Sequence, residues 1–390
     1  MASLDINLDM IIEILSHSPA SVVGKCRLLN KECNKRTYDS SFLIPNLQRT
    51  NSVSGYFLEY SERLRVHSAF VKDLGNEVAR GSDEISLDFL PPGRVSIKAC
   101  NASHGVLLCV NDLPVKGRQP EYIVCKPTTK QFRILPKPKT RYFTIALGLM
   151  VTGTDPFRYK ILRLSQLPGK ENRRYNFNFT LVCEVFDSDS FAWKRLDNVE
   201  LPEEDLLVTR IANPVVSYGF LHWLTTSNNV FRFCFKTNSW SFFPVPESLA
   251  SDSSLKLTRY DGKVGVISSR SKEGVDYQDL WVLETSFGDS WVHVKEIKSM
   301  GLKPVGFSSN DVVTLADSDG IRSYNMNNGK SQKLPIRAPK FFSSYYWTMS
   351  YFPFYSDYER VELNGRSDGL STRHKTWTEG LKTYVRIMWG

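Results

Sequence analysis

Residues 122–138 read YIVCKPTTKQFRILPKP. An apolar run with β-branched and aromatic residues reaches Cys125, a polar turn follows through Pro127 to Lys130, and a second short run carries Phe132. Such a pattern predicts two strands joined by a tight connection. The shape returns as LVCEVFDSDSFAWKRL from Leu181, VFRFCFKTNSWSFFPVP from Val230, LWVLETSFGDSWVHVKEI from Leu280 and IRSYNMNNGKSQKLPI from Ile321. The units begin 41 to 59 residues apart. Between them lie further strand candidates: VLLCV at Val106, FLHWL at Phe220, KVGVIS at Lys263 and DVVTL at Asp311.

A period of about 50 residues built from four short strands is that of kelch-type propeller blades. Stacking such units around an axis buries the apolar face that each hairpin cannot leave in water, and it leaves few free edges. A mostly antiparallel β-propeller-like domain is therefore expected over residues 91–360. A β-sandwich or an irregular β-domain is the alternative, and the uneven spacing leaves the blade number open. Trp193, Trp240 and Trp291 hold matching places in three units and read as blade-core residues. FFSSYYWTMSYFPFYSDYERVEL, from Phe341, reads as a strand closing the ring or as a ligand-facing aromatic patch. Residues 361–390 read as a polar tail or a closing strand.

The first 50 residues have another texture. Met10, Ile11, Ile14 and Leu15 fall on one helical face, with Asp9 and Glu13 opposite. Ser18 before Pro19 predicts an N-cap and a second helix carrying Val22, Val23, Cys26 and Leu29. Asn30 predicts the cap of a third, through Lys31, Cys33 and Lys35. Helices this short bury little core alone. Their apolar faces call for the chain's own body, as a lid, or for a partner.

From Asp9 to Arg49 the segment resembles the F-box of plant proteins. Asp9, Ile11, Glu13, Ile14, Leu15, Ser16, Pro19, Val23, Arg27, Lys31, Phe42, Leu47 and Arg49 match that pattern in register without gaps. Asn7, Ser18, Asn30 and Cys33 depart from it, standing where the family has proline, leucine, serine and tryptophan. The body resembles the plant F-box-associated domain. NASHGVLLC at Asn101–Cys109, YIVCKPTTKQFRILPKP at Tyr122–Pro138, YKILRL from Tyr159 and CEVFDSDSFAWKRL from Cys183 follow the family's order. Lys126 replaces an asparagine there, Phe132 a tryptophan, and Ala102–His104 are extra.

The resemblance implies an α+β multidomain chain. An F-box helical docking module spans 1–50, a connecting segment or the first strands of the β-domain span 51–90, and a substrate-recognition domain spans 91–360. It implies a Skp-type adaptor, and through it a cullin, as partners, together with a target protein. The implied adaptor-binding residues are Ile6, Met10, Ile11, Ile14, Leu15, Pro19, Val22, Val23, Leu29, Lys31 and Cys33. At Cys33 a large tryptophan anchor of the kind that dominates interfaces is missing. The implied function is the substrate-recognition subunit of an SCF-type (Skp–cullin–F-box) E3 ubiquitin ligase, without catalysis of its own. A second reading, motivated by Asn7, Ser18 and Cys33, is an F-box-like interaction module working outside a ligase.

Composition narrows the rest. The chain has 390 residues, 41% hydrophobic and 23% charged, as ordinary globular proteins do. The net charge of +9 is scattered. Lys137 to Arg141 and Arg173–Arg174 are brief clusters, which predicts a solvated surface able to steer an acidic target more than a nucleic-acid groove. Phe143 to Val151 is too short to span a bilayer. No basic segment precedes an apolar one at the N-terminus, so no secretory signal is expected. Seven cysteines without a C-x-x-C pair predict a reducing compartment, cytosol or nucleus.

No catalytic motif emerges. The six histidines are isolated. Gly329-Lys330-Ser331 lacks the upstream glycine of a phosphate loop, and Asn310 spoils a G-x-S-x-G elbow at Gly306. Asp187, Asp189, Asp317 and Asp319 read as turn residues. No cofactor or metal is expected, although a propeller hydrolase would leave no local motif. Target contacts are expected on inter-blade loops, with Leu113–Pro120, Gly169–Asn176 and Ser268–Tyr277 as candidates.

Overall fold

The structure, a computed structural model, describes residues 7–50, 52–62, 65–72, 85–112, 119–166, 180–202, 205–207, 213–252, 254–273, 275–285, 290–298, 303–317, 320–334 and 350–363. Helices come first: α1 (Leu8–Ser16), α2 (Ala20–Leu29), α3 (Lys31–Arg36) and α4 (Ser40–Arg49). Asn7 caps α1 by accepting from the Asp9 N–H. Asn30 caps α3, as its sequence position predicts, through the N–H groups of Glu32 and Cys33. The expected Ser18 cap does not form. Pro19 itself takes the N-cap place of α2, and the Ser18 hydroxyl donates back to the Ile14 carbonyl. Helix α4 exceeds the three helices that periodicity predicts, and Phe42 and Leu47 form its buried stripe. Leu15, Val23, Cys33 and Phe42 meet in a small core belonging to the helices.

The strands form six antiparallel sheets. β1 (Val53–Glu62) and β2 (Arg65–Lys72) begin the first. β3 (Val95–Asn101), β4 (Val106–Asn111), β5 (Glu121–Lys126) and β6 (Gln131–Ile134) form the second. The third holds β7 (Thr144–Thr154), β8 (Phe157–Gln166), β9 (Thr180–Asp187) and β10 (Ala192–Arg195), with β11 (Val199–Glu200) also on β9. The fourth holds β12 (Val215–Ser217), β13 (Phe220–Leu224), β14 (Asn229–Cys234) and β15 (Ser239–Pro244). The fifth holds β16 (Lys256–Tyr260), β17 (Lys263–Lys272), β18 (Val275–Leu283) and β19 (Trp291–Lys298). The sixth holds β20 (Lys303–Phe307), β21 (Val312–Asp317), β22 (Gly320–Asn325) and β23 (Ser331–Lys333). Finally β24 (Ser350–Ser356) pairs with β1, so the first sheet contains both early and late strands.

An apolar cluster fills each junction between neighbouring sheets. Phe57 and Phe354 of the first meet Ile97 and Ile123 of the second. Val124 and Leu108 meet Leu149 and Ile161 of the third, and Leu162 and Val185 meet Trp223 and Phe233 of the fourth. Val230 and Phe243 meet Val264 and Leu283 of the fifth. Ile297 meets Val313 and Leu315 of the sixth, and Ile321 with Leu334 returns to Leu58 and Val71 of the first. The result is a six-bladed β-propeller. Middle strands are covered on both sides, so every residue of β4 is buried. That is why VLLCV is a solid apolar run without alternation. Trp193 is buried at the second junction, where it donates to the Pro136 carbonyl. Trp240 and Trp291 are half-buried against their blades.

Candidate functional site

In an up-and-down meander, the first turn and the second connection lie at opposite ends of the blade. The first turns gather on one side: Ser217 donates to the Gly262 carbonyl, Arg259 to Ser103, and the Tyr355 N–H to the Ala102 carbonyl. The helices sit on that same side.

Tyr38, just before α4, is the centre of their attachment. The Arg27 guanidinium stacks 3.7 Å from its ring centroid. Arg259 Nη2 donates to its hydroxyl at 3.3 Å, and the Asn310 N–H donates to its carbonyl at 3.0 Å. Burial would raise the Tyr38 phenol, but Arg27 and Arg259 outweigh it and hold it below its ordinary value. At Gly262, whose φ is +71°, a Cβ would stand 2.5 Å from the Tyr38 hydroxyl oxygen, so only glycine fits. Ser40 donates through its N–H and its hydroxyl to the Asp311 carboxylate at 3.1 and 2.6 Å. Burial pushes Asp311 up, yet these bonds and that from Ser309 bring it below the usual carboxylate value. Asn46 is buried; it donates to the carbonyls of Leu15, Ser16 and Ser18 and accepts from the Tyr355 hydroxyl at 2.7 Å. One side chain thus joins α1, α4 and β24.

The implied adaptor-binding residues divide by position. Met10 and Ile14, one turn apart on α1, are 60% and 61% exposed, and Val22 on α2 is 39% exposed. These are the exposed large apolar groups of the described helical residues. Lys31 is exposed, and Ile11 and Pro19 are half-buried. Leu15, Val23 and Cys33 lie inside the helical core, so they shape that surface from beneath and offer it no area. Cys33, 3% exposed, packs in that core beside Leu15, Val23 and Phe42. Ile6 lies outside the described residues, as does the Leu29 side chain.

The three candidate loops, expected between blades, each join neighbouring strands of one blade instead, because the unit boundaries read from the sequence fall inside the sheets. Leu113–Pro120 joins β4 to β5, Gly169–Asn176 joins β8 to β9, and Ser268–Tyr277 is the tip of the β17–β18 hairpin. All are second connections, so their anchors lie on the face opposite the helices. Only Gln119 and Pro120 of the first loop are described, and the second lies outside the described residues.

Two buried ion pairs escaped the sequence reading. Arg163 and Glu184, 3% and 0% exposed, bond one another inside the third blade. Lys126, 2% exposed, bonds Asp357 at 2.5 Å and the Glu359 carbonyl at 2.6 Å. Among the described residues, no group of three or more His, Cys, Asp or Glu is arranged to hold a metal ion. No described helix is long and apolar enough to cross a membrane.

Comparison with known proteins places these features in a family. Residues 76–315 match the F-box associated beta propeller domain. An Arabidopsis thaliana F-box protein, At5g41720, is 48% identical over 183 residues, which are 46% of this chain and 96% of that one. At5g49610, another F-box protein of the plant, is 25% identical over 76% of this chain and 79% of its own. The F-box protein CPR1 is 22% identical over 81% and 80%.

Proposed function

This chain belongs to the F-box-associated β-propeller family, and from that premise we propose that it is the substrate-recognition subunit of an SCF-type E3 ubiquitin ligase. The helical module is its F-box and grips a Skp-type adaptor, which links it to a cullin. The far face of the propeller holds a target protein. The chain contributes proximity: it raises the effective concentration of target lysines near the ubiquitin carrier and makes or breaks no bond itself.

The observation that carries this reading is the pairing of an exposed apolar surface on the helices with their firm attachment to one face of the ring. Exposed Met10, Ile14 and Val22 suit an adaptor. The Tyr38, Ser40 and Asn46 contacts fix the distance from adaptor to target. The departures from the F-box pattern are absorbed internally, with Asn7 as a cap, Ser18 bonded to α1 and Cys33 in the core. Its cysteines, all free, suit the cytosol or nucleus.

A pull-down with a purified Skp-type adaptor tests the reading. The wild-type chain is expected to bind below micromolar concentration. Met10→Asp with Ile14→Asp is expected to lower affinity at least about tenfold, because two charges would be buried against apolar groups. Absence of wild-type binding at micromolar concentration would leave an interaction module that works outside a ligase.

A further inference from the structure

The connector from β6 to β7 crosses from the second blade to the third on the face opposite the helices. Its residues alternate. Lys137, Lys139, Arg141 and Phe143 are exposed, while Pro138 is buried and Thr140 and Tyr142 are half-buried. Phe143 is 75% exposed, the highest value among the large exposed apolar residues. None of the three cations forms an ion pair with a described residue.

The inward side is held at nearly every residue. Trp193 donates to the Pro136 carbonyl at 2.7 Å. The Thr140 N–H and hydroxyl donate to Glu184 at 3.1 and 2.7 Å. Arg163 donates to the Thr140 hydroxyl, the Tyr142 carbonyl and the Thr144 hydroxyl at 2.9, 2.5 and 2.9 Å. The Gln166 N–H donates to the Phe143 carbonyl at 2.8 Å. The bonds fix the backbone of the connector, which bends at Lys139, so ordering its side chains on binding costs less.

We propose that residues 136–144 are a recognition strip for an extended acidic segment of the target protein. Lys137, Lys139 and Arg141 take carboxylates at alternate positions of that segment, and Phe143 packs on an apolar side chain at its end. The proposal rests on the receptor reading, which assigns the far face to the target. Lys137, Lys139 and Arg141 recur at every second residue on the exposed side, and the side chains on one face of an extended segment recur at every second residue too. A single row of three cations ending in one aromatic fits a short peptide; a nucleic-acid strand engages a longer basic groove with several stacking rings.

Fluorescence anisotropy with the full chain tests this. The probes are a labelled peptide with Glu at three alternate positions and Leu two residues on, its Gln counterpart, and a short single-stranded oligothymidylate. The Glu peptide is expected to bind about tenfold tighter than the Gln peptide, and to weaken as salt rises. K137E/K139E/R141E is expected to lower its affinity about tenfold or more, and F143A about three- to tenfold, with unchanged thermal melting. Equal binding of the Glu and Gln peptides, or full retention by the triple variant, overturns the proposal. So does tighter binding of the oligonucleotide lost in the same variant, which would make nucleic acid the occupant. Adaptor pull-down on the same protein separates the two readings. A chain that binds adaptor but no acidic peptide loses the strip and keeps the receptor role. A chain that binds the peptide but no adaptor keeps the strip.

Discussion

Glu59 shows how one half-buried carboxyl leaves a mark on the pH dependence of the whole fold. It lies on β1, where burial pushes it up to about 7, against the pull of the Ile97 N–H, which donates to it at 2.5 Å, and of Lys98. Below about pH 4.5 both folded and unfolded chains hold this proton. As pH rises from about 4.5 to about 7 the unfolded chain loses it first, so the stability contributed by Glu59 falls through that window and levels off above it. His104 and His222, held at about 4 mainly by burial, act the other way and withdraw stability as pH falls from 6.5 towards 4. Glu59→Gln isolates the first effect. Urea midpoints of wild type and variant, taken from pH 4.5 to 8, should diverge in favour of the variant by up to about 2–3 kcal/mol at the alkaline end. Parallel profiles would show that Glu59 is not desolvated. At this scale the sequence was partly legible. Asn30 announces its cap because a short polar side chain before a helix has one obvious use. Ser18 misleads for the same reason: two helix ends compete for its hydroxyl, and α1 takes it.

Single elements depend on partners that are distant in sequence, and this is where reading along the chain loses information. Strands β4, β5 and β9 were visible because both their faces are buried and their middle residues are mostly apolar, while β8, with Arg158, Lys160 and Arg163, was legible only as YKILRL within the family pattern. The buried charges within β8 and β9 gave no signal, since an Arg or Glu at a strand position normally predicts solvent. Arg163 and Glu184 reach inward because the connector above them supplies the polar groups that a buried pair requires. Removing one partner therefore tests the element. Arg163→Met leaves the Glu184 charge uncompensated and should cost about 3–5 kcal/mol in urea unfolding. Arg163→Met with Glu184→Met should restore much of that loss, because an apolar pair of similar size avoids the desolvation penalty. It also frees Thr140 and Tyr142, so the double variant should be stable yet bind the acidic peptide more weakly than wild type. Undiminished binding would mean that the connector keeps its shape without the pair.

Ring closure belongs to the whole molecule, and it explains why the blade number stayed open in the sequence. The first blade unites β1 with β24 across nearly the full chain, and no local pattern records such a pairing. The aromatic run from Phe341 does contain the closing strand: Phe352 and Phe354 of β24 pack beside Phe57. The chain then continues over the helix side of the second and third blades. Asp357 meets Lys126, the Val361 carbonyl accepts from Gln131, and the Leu363 carbonyl accepts from the Tyr159 hydroxyl. This strap holds the closing strand in place and gives Lys126 its counter-charge. Truncation after residue 363 keeps every described contact and serves as the reference for a shorter chain. Truncation after Ser356 strands the buried Lys126 ammonium and should cost about 3–5 kcal/mol. Adding Lys126→Met to the shorter chain decides the cause. If the cost is the orphaned charge, the substitution recovers most of the stability. If the cost is the lost packing of Val361 and Leu363, the substitution recovers little, and the strap closes the ring through its apolar residues alone.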